Sequence, residues 1–352
     1  MADTIIVDTA TRIFQDLCDA ATINGAEKGE WPQALWDALE ESGLPLAWVS
    51  DALGGAGADI ADGFAVLRVA GRFAAPVPIA ETLLAGWLLA QAGIAAPAGP
   101  MTIAPVHEDG DIRIGADGRL SGRARHVPFA RMAKHIAALA RRGADPVVAL
   151  VAAEGLVVKP GTGLSGEPRD EVSFDGASAV QTAPAPGLSP AGLALIAAAA
   201  RTQQIAGALE RVLDQSVQFS LDRVQFGRPI AKFQAVQHNL AALAGEVAAA
   251  GAAADGAAEA IAAHGIAGDV AESQVAIAKV RAGEAAGNGA AIAHQVHGAM
   301  GFTYEHSLHH STRRLWEWRE EFGNEALWAE RLGRMVAARG ADELWPFVTA
   351  GS

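Results

Sequence analysis

Residues 201–237 leave the chain few ways to fold. They read RTQQIAGALERVLDQSVQFSLDRVQFGRPIAKFQAVQ. Apolar residues recur at Ile205, Ala208, Leu209, Val212, Leu213 and Val217, mostly three and four apart, the spacing of a packed helix. The run stops at Phe226-Gly227, where glycine can end a helix, and Pro229 forbids easy continuation. A second helix opens near Phe233. Arg223, Gln225, Phe226 and Gln234 therefore cluster around one helix–loop–helix corner.

The corner resembles the second signature of the acyl-CoA dehydrogenase family, with Arg223, Phe226, Gly227, Pro229, Ile230, Phe233, Gln234 and Gln237 all at the family's spacing. The resemblance implies that Arg223, Gln225, Phe226, Phe233 and Gln234 bind the FAD of a neighbouring subunit. The chemistry agrees: a guanidinium pairs bidentately with a pyrophosphate, an aromatic ring covers a flat cofactor ring, and glycine lets backbone approach closely.

A further motif, HQVHGAMGFTYEHSLHHSTRRLWEWREEFGNE at residues 294–325, resembles the family's carboxy-terminal signature. Gln295, Gly298 and Gly301 match the glycine-rich turn that receives the adenine end of FAD, and Ala299 stands where the family usually has a second glycine. Glu305, Arg313 and Gly323 keep register. His294, His297, His306, His309 and His310 crowd the same stretch. Two imidazoles at helical spacing can bind zinc, but there is no HExxH pattern and no thiol nearby, so polar, interfacial histidines are expected and no metal site.

The rest of the chain follows the family's domain order. Residues 1–97 read as an amino-terminal helical domain: Ile13, Phe14 and Leu17 share a face, Trp31-Pro32 opens a helix that stops at Gly43, and Phe64, Val66, Leu67 and Val69 lie on another. The glycine-rich DALGGAGAD at residues 51–59 lacks the strand–GxGxxG–helix setting of a dinucleotide fold and reads as a connection. Residues 98–187 alternate and turn on Asp-Gly pairs, which predicts a small antiparallel β domain. Residues 188–352 predict four long Ala-rich helices, at about 192–225, 232–263, 268–301 and 307–340, forming a carboxy-terminal four-helix bundle. The expected fold class is α+β, acyl-CoA dehydrogenase-like.

Composition narrows the partners. A formal charge of -13 repels nucleic acid and anionic membrane surfaces. The longest apolar run, near residues 193–200, is too short for a bilayer. Cys18 is the only cysteine, which excludes an internal disulfide. The first residues carry early acids and no basic segment, so no secretory signal is read there and the cytoplasm is the expected compartment.

The resemblance implies oxidation of an acyl-CoA thioester across its α and β carbons. A glutamate takes the α proton, flavin takes the hydride from the β carbon, and an electron-transfer flavoprotein is the expected electron acceptor. In most members that glutamate directly precedes the glycine aligned with Gly323; here Phe322 stands there. The other position some members use falls on Ala197, and the substrate-recognising acid and Arg of typical members find only residues 195–198. Neither Phe322 nor Ala197 can accept a proton. The family's Thr-Glu-Pro and Ser-Asp segment for the flavin ring is also missing between residues 101 and 154.

Glu321 lies one residue off, about 100° round a helix. With Arg319, Glu320 and Glu325 it is expected to form a solvated charged face. Three readings follow. The chain is a subunit that completes the FAD site of a second acyl-CoA dehydrogenase subunit; or a self-sufficient homodimer or tetramer with a displaced base such as Glu321; or a non-catalytic scaffold.

Overall fold

The computed structural model describes residues 4–107 and 110–349. The chain divides into two compact units, residues 1–66 with 76–197 and residues 67–75 with 198–352; the divisions fall within helices.

In the first unit, α1 (Thr4–Leu17), α2 (Ala20–Glu27) and α3 (Gln33–Glu41) lead into short 3-10 turns, the start of α4 (Ile60–Arg72) and α5 (Ile79–Gln91). Phe14 of α1, and Leu35, Trp36 and Leu39 of α3, are buried, as their helical spacing requires. Helix α3 ends in a serine followed by Gly43, a left-handed residue at φ 73°. The segment at residues 51–59 is a connection, as expected from its glycines. Every residue of α5 from Ile79 to Leu89 is buried. That helix is apolar all round and forms the interior of the unit.

Nine strands follow among the described residues: β1 (Met101–Ala104), β2 (Arg113–Ile114), β3 (Leu120–Ser121), β4 (Arg123–Pro128), β5 (His135–Arg142), β6 (Asp145–Ala152), β7 (Val157–Lys159), β8 (Arg169–Ser173) and β9 (Gln181–Pro184). Six form one sheet, in the order β3-β2-β5-β6-β9 with β1 also on β5; β4, β8 and β7 form a second. The Asp117-Gly118 pair makes the β2–β3 hairpin, with Gly118 at φ 77°. The other pair, Asp109-Gly110, lies partly outside the described residues.

The sheet departs from the antiparallel expectation. β1 runs parallel to β5 along four residue pairs, and β2 meets β5 in the same sense. These strands are far apart in sequence and joined by no hairpin, so no turn forces them antiparallel. β1 is anchored by Thr82 of α5, whose Oγ1 accepts from Met101 N at 3.0 Å.

The second unit contains the end of α4, most of α6 (Pro190–Asp222), a two-stranded ribbon β10 (Val224–Gln225) and β11 (Arg228–Pro229), then α7 (Gln234–His264), α8 (Asp269–His297), α9 (Leu308–Trp318), α10 (Glu325–Arg339) and α11 (Leu344–Thr349). Its core joins Ile205, Leu209 and Val212 of α6, Leu243 and Ala250 of α7, Ala282, Ala286 and Ala293 of α8, and Leu308, Leu315 and Trp318 of α9.

The fourth long helix expected at 307–340 is broken in two. Phe322 at φ 54° and Gly323 at φ 93° leave helical geometry, and the Asn324 side chain caps α10 by accepting from Leu327 N. Helix α7 is long and apolar enough, by length and composition, to cross a bilayer; alanine gives it that character, one third of its most apolar stretch is buried, and it packs along α8.

Candidate functional site

The corner is a two-residue β-hairpin between long helices. Val224 pairs with Pro229 and Gln225 with Arg228. Both tip residues have positive φ, Phe226 at 53° and Gly227 at 75°, the signature of a type I′ turn. Glycine takes that conformation freely; a bulky aromatic does so at a cost of about 1–3 kcal/mol. Phe226 nevertheless stands 93% exposed. The base of the hairpin closes through Ile230 N donating to Arg223 O at 2.8 Å.

The remaining corner residues are fastened around it. Phe233 caps α7, its ring edge-on to Phe226 at 6.1 Å, with the Arg228 guanidinium 4.4 Å above it. Gln237 Nε2 donates to Ala231 O, and Gln234, the first residue of α7, lies 3.4 Å from His238. The Gln225 side chain donates to its neighbour's carbonyl, Val224 O, at 2.8 Å. Arg223, Arg228 and Lys232 are exposed at the corner of a chain whose formal charge is -13. Basic side chains, an outward aromatic ring and an open tip backbone suit a flat, anionic ligand such as a flavin nucleotide.

Gln295, Gly298 and Ala299 are positioned by another device. Helix α8 ends at His297, Gly298 adopts φ 59°, and a 3-10 turn runs over Gly298–Phe302. Gln295, Gly298 and Ala299 are exposed; a side chain at Gly298 would meet nothing within 4 Å. These residues likewise fit a nucleotide approaching from outside.

The two positions where the resemblance places the base carry apolar, buried side chains. Phe322 is buried, 5.8 Å beneath the Arg201 guanidinium, and its carbonyl accepts from Trp328 Nε1 at 2.9 Å. Ala197 is buried on α6. The acidic run beside Phe322 is solvated at Glu320, as its composition suggests, but not at Glu321 and Glu325. Glu321, 12% exposed, accepts from Arg201 Nε at 2.5 Å, and Arg201 is 2% exposed. Glu325 pairs with Arg319 at 2.8 Å, while Glu320 accepts from Asn324 at 3.2 Å. Lys279 of α8 closes the group from inside, donating to the carbonyls of Arg319 at 3.0 Å and Glu321 at 2.8 Å.

Arg201 and Lys279 were not singled out by motif. Lys279 occupies a position of the apolar stripe Val275, Ala282 and Ala286, and that period was the available signal. The histidines also differ from expectation: His294, His297 and His310 are buried rather than interfacial.

In the first unit, a cleft of about 580 Å³ lies beside β4, lined by His107, Asp111, Arg123, Arg125 and His126 among others. Asp111 is already engaged by Arg113 and Arg141.

The comparisons support the acyl-CoA dehydrogenase family, with which the fold, the hairpin and the glycine turn agree. The family model for the acyl-CoA dehydrogenase C-terminal domain matches residues 196–334. Acyl-CoA dehydrogenase IpdE2 of Mycobacterium tuberculosis is 29% identical over 280 residues, 79% of each chain. Its namesake from Mycolicibacterium smegmatis is 28% identical, covering 86% of this chain and 89% of its own.

Among solved structures, the ChsE4–ChsE5 complex from Mycobacterium tuberculosis superposes with a TM-score of 0.85 at 25% identity, covering 96% of this chain and 97% of the other. A variant of the Tcur3481–Tcur3483 steroid ACAD gives 0.84 at 26%, covering 95% and 97%. Glutaryl-coenzyme A dehydrogenase shares the fold, with a TM-score of 0.81 at 18% identity, covering 94% and 93%.

Proposed function

We propose that this chain is the subunit of a hetero-oligomeric acyl-CoA dehydrogenase that completes the FAD site of a partner subunit and does not supply the catalytic base. The observation that carries this reading is the pairing of an outward, strained Phe226 tip with a base position closed by Phe322 and the Arg201–Glu321 ion pair. Two structural neighbours support it: one is a complex of two differently named chains, and the other's double name joins two components.

FAD, when bound, supplies the hydride acceptor for α,β-dehydrogenation of an acyl-CoA thioester. This chain's residues bind and orient. Arg223 would neutralise the pyrophosphate, and Gln225 and Gln234 would offer it further polar groups. Phe226 and Phe233 would cover ring surface, and Gln295 with the backbone at Gly298 and Ala299 would receive the adenine end. The exposed tip reaches outward, as a group serving a neighbouring subunit must. The steroid ACAD name makes a ring-bearing acyl-CoA the class to assay first. An electron-transfer flavoprotein is the acceptor the family resemblance implies, and the cytoplasm the compartment.

The self-sufficient alternative needs a free carboxylate, and Glu321 is engaged by a buried guanidinium. Co-expression with a genomically adjacent family member tests the choice. Made alone, the chain carries little flavin and oxidises no acyl-CoA; co-expressed, it yields a complex with flavin absorbance that acyl-CoA bleaches. Arg223→Ala lowers flavin retention in that complex about 10–100-fold, the worth of a charge-assisted pair. Glu321→Gln leaves bleaching intact. Stoichiometric flavin with turnover in the isolated chain refutes the proposal.

A further inference from the structure

The imidazoles beneath the Gly298 turn are not used by the cofactor-binding reading. His294 and His297 close α8, His306 lies in the connection, and His309 and His310 begin α9. His297 is 3% exposed and stacks on Phe219 of α6 at 4.4 Å; His306 meets His297 at 4.7 Å and the same phenyl ring edge-on at 5.9 Å. His297 Nδ1 lies 2.8 Å from Ala293 O, so that nitrogen carries the proton. Its Nε2 is buried with no hydrogen-bond partner among the described residues.

The same rings fasten the turn. His294 stacks on Phe302 at 4.3 Å and on Trp316 at 5.6 Å, and bonds Thr312 Oγ1 at 2.9 Å. His306 Nδ1 accepts from Leu308 N, and His309 Nδ1 donates to His306 O.

The titratable and charged groups around these rings include the other imidazoles, His294 along α8, His306 from the connection, and His309 and His310 from α9, together with Tyr304, whose ring meets His309 at 5.4 Å, and Arg313 and the buried Glu317 of α9. Helix α9 adds the buried Arg314, which donates to His310 O, and α6 offers the Phe219 ring and the Gln215 amide on Ser307. Burial lowers the pKa of His294 and His306 below the ordinary imidazole value, and that of His297 to about 4, with the neighbouring imidazoles adding to the effect.

We propose that this imidazole cluster is a proton-sensitive support for the Gly298 turn. Neutral, it packs as aromatic core and holds the turn closed; protonated, its rings leave the interior and the turn opens. Resting on the proposed role of Gln295 and Gly298, opening also releases the FAD shared with a partner subunit.

The sign follows from linkage. The closed state has the lowered pKa, so it binds fewer protons than the open state, and opening gains as pH falls below about 6.5 until the closed-state value is reached. With His297 at about 4 when closed, that residue alone shifts the opening equilibrium roughly tenfold between pH 7.5 and 5.5.

Hydrogen exchange of the whole isolated chain, corrected for intrinsic rates, tests this at those two pH values. The peptide covering 294–310 loses protection about tenfold at pH 5.5, while one covering 205–213 holds. His297→Phe keeps the stacking without the charge, and His297→Gln keeps a donor towards Ala293; each flattens the pH response. Unchanged protection in the wild type, or a response persisting in both variants, overturns the proposal. In the co-expressed complex, flavin is lost faster at pH 5.5; a complex whose peptide opens while its flavin holds overturns the coupling. Opening in a chain that carries no flavin in any complex upholds the support and overturns only the functional reading.

Discussion

Lys279 is the only ammonium placed wholly inside the helical unit among the described residues, and its surroundings explain why a lysine is tolerated there. Its Nζ faces the carbonyls of Trp318, Arg319 and Glu321 at 3.4, 3.0 and 2.8 Å, oxygens at the frayed end of α9 that have no helical partner. Three N–H bonds are matched to three acceptors. Burial lowers the pKa to about 7, opposed by Glu321 and Glu325. Lys279→Met leaves those carbonyls without a donor and is expected to cost about 2–4 kcal/mol in urea unfolding at pH 7. Because the folded-state pKa is depressed, the unfolded chain binds more protons between about pH 7 and pH 10.5, so Lys279 makes stability rise with pH across that window. The variant lacks that contribution; an identical pH slope in both proteins would contradict the assignment.

At the scale of the element, the hairpin at Phe226 sets local stability against reach. A type I′ turn prefers Asn-Gly, and asparagine tolerates positive φ far better than phenylalanine. Phe226→Asn is therefore expected to raise the stability of the isolated chain by about 0.5–1 kcal/mol, read by thermal unfolding, while reducing flavin retention in the co-expressed complex. A variant stabilised in both settings would remove Phe226 from the ligand contact. The sequence made this element legible because Gly227 and Pro229 punctuate two long helical periods. It hid the break at Phe322-Gly323, since the apolar and charged residues on either side keep helical spacing and only the backbone reveals the two positive φ values. The parallel β1–β5 pairing was hidden for a different reason: alternation fixes which residues face the core but not which strand lies alongside. The histidine cluster was visible as a count, but its burial depends on Phe219 of α6, distant in sequence.

For the whole molecule, the order of helices, strands and helices could be read from period and punctuation. What no single chain's sequence carries is the assembly in which its residues act. Linkage turns that into a measurement. A ligand that binds only the native state adds RT ln(1 + [L]/Kd) to stability, about 2.7 kcal/mol at a hundred times Kd. If the chain held a complete flavin site, free FAD alone would raise its melting temperature. The exposed Phe226 tip and the closed base position predict otherwise: FAD alone leaves the isolated chain's melting temperature unchanged, partner alone raises it, and partner with FAD raises it further. Arg223→Ala should remove the FAD increment while keeping the partner increment, since the proposed site sets the guanidinium against the cofactor and the helical faces do not depend on it. A shift of several degrees with FAD and no partner would assign the site to this chain alone.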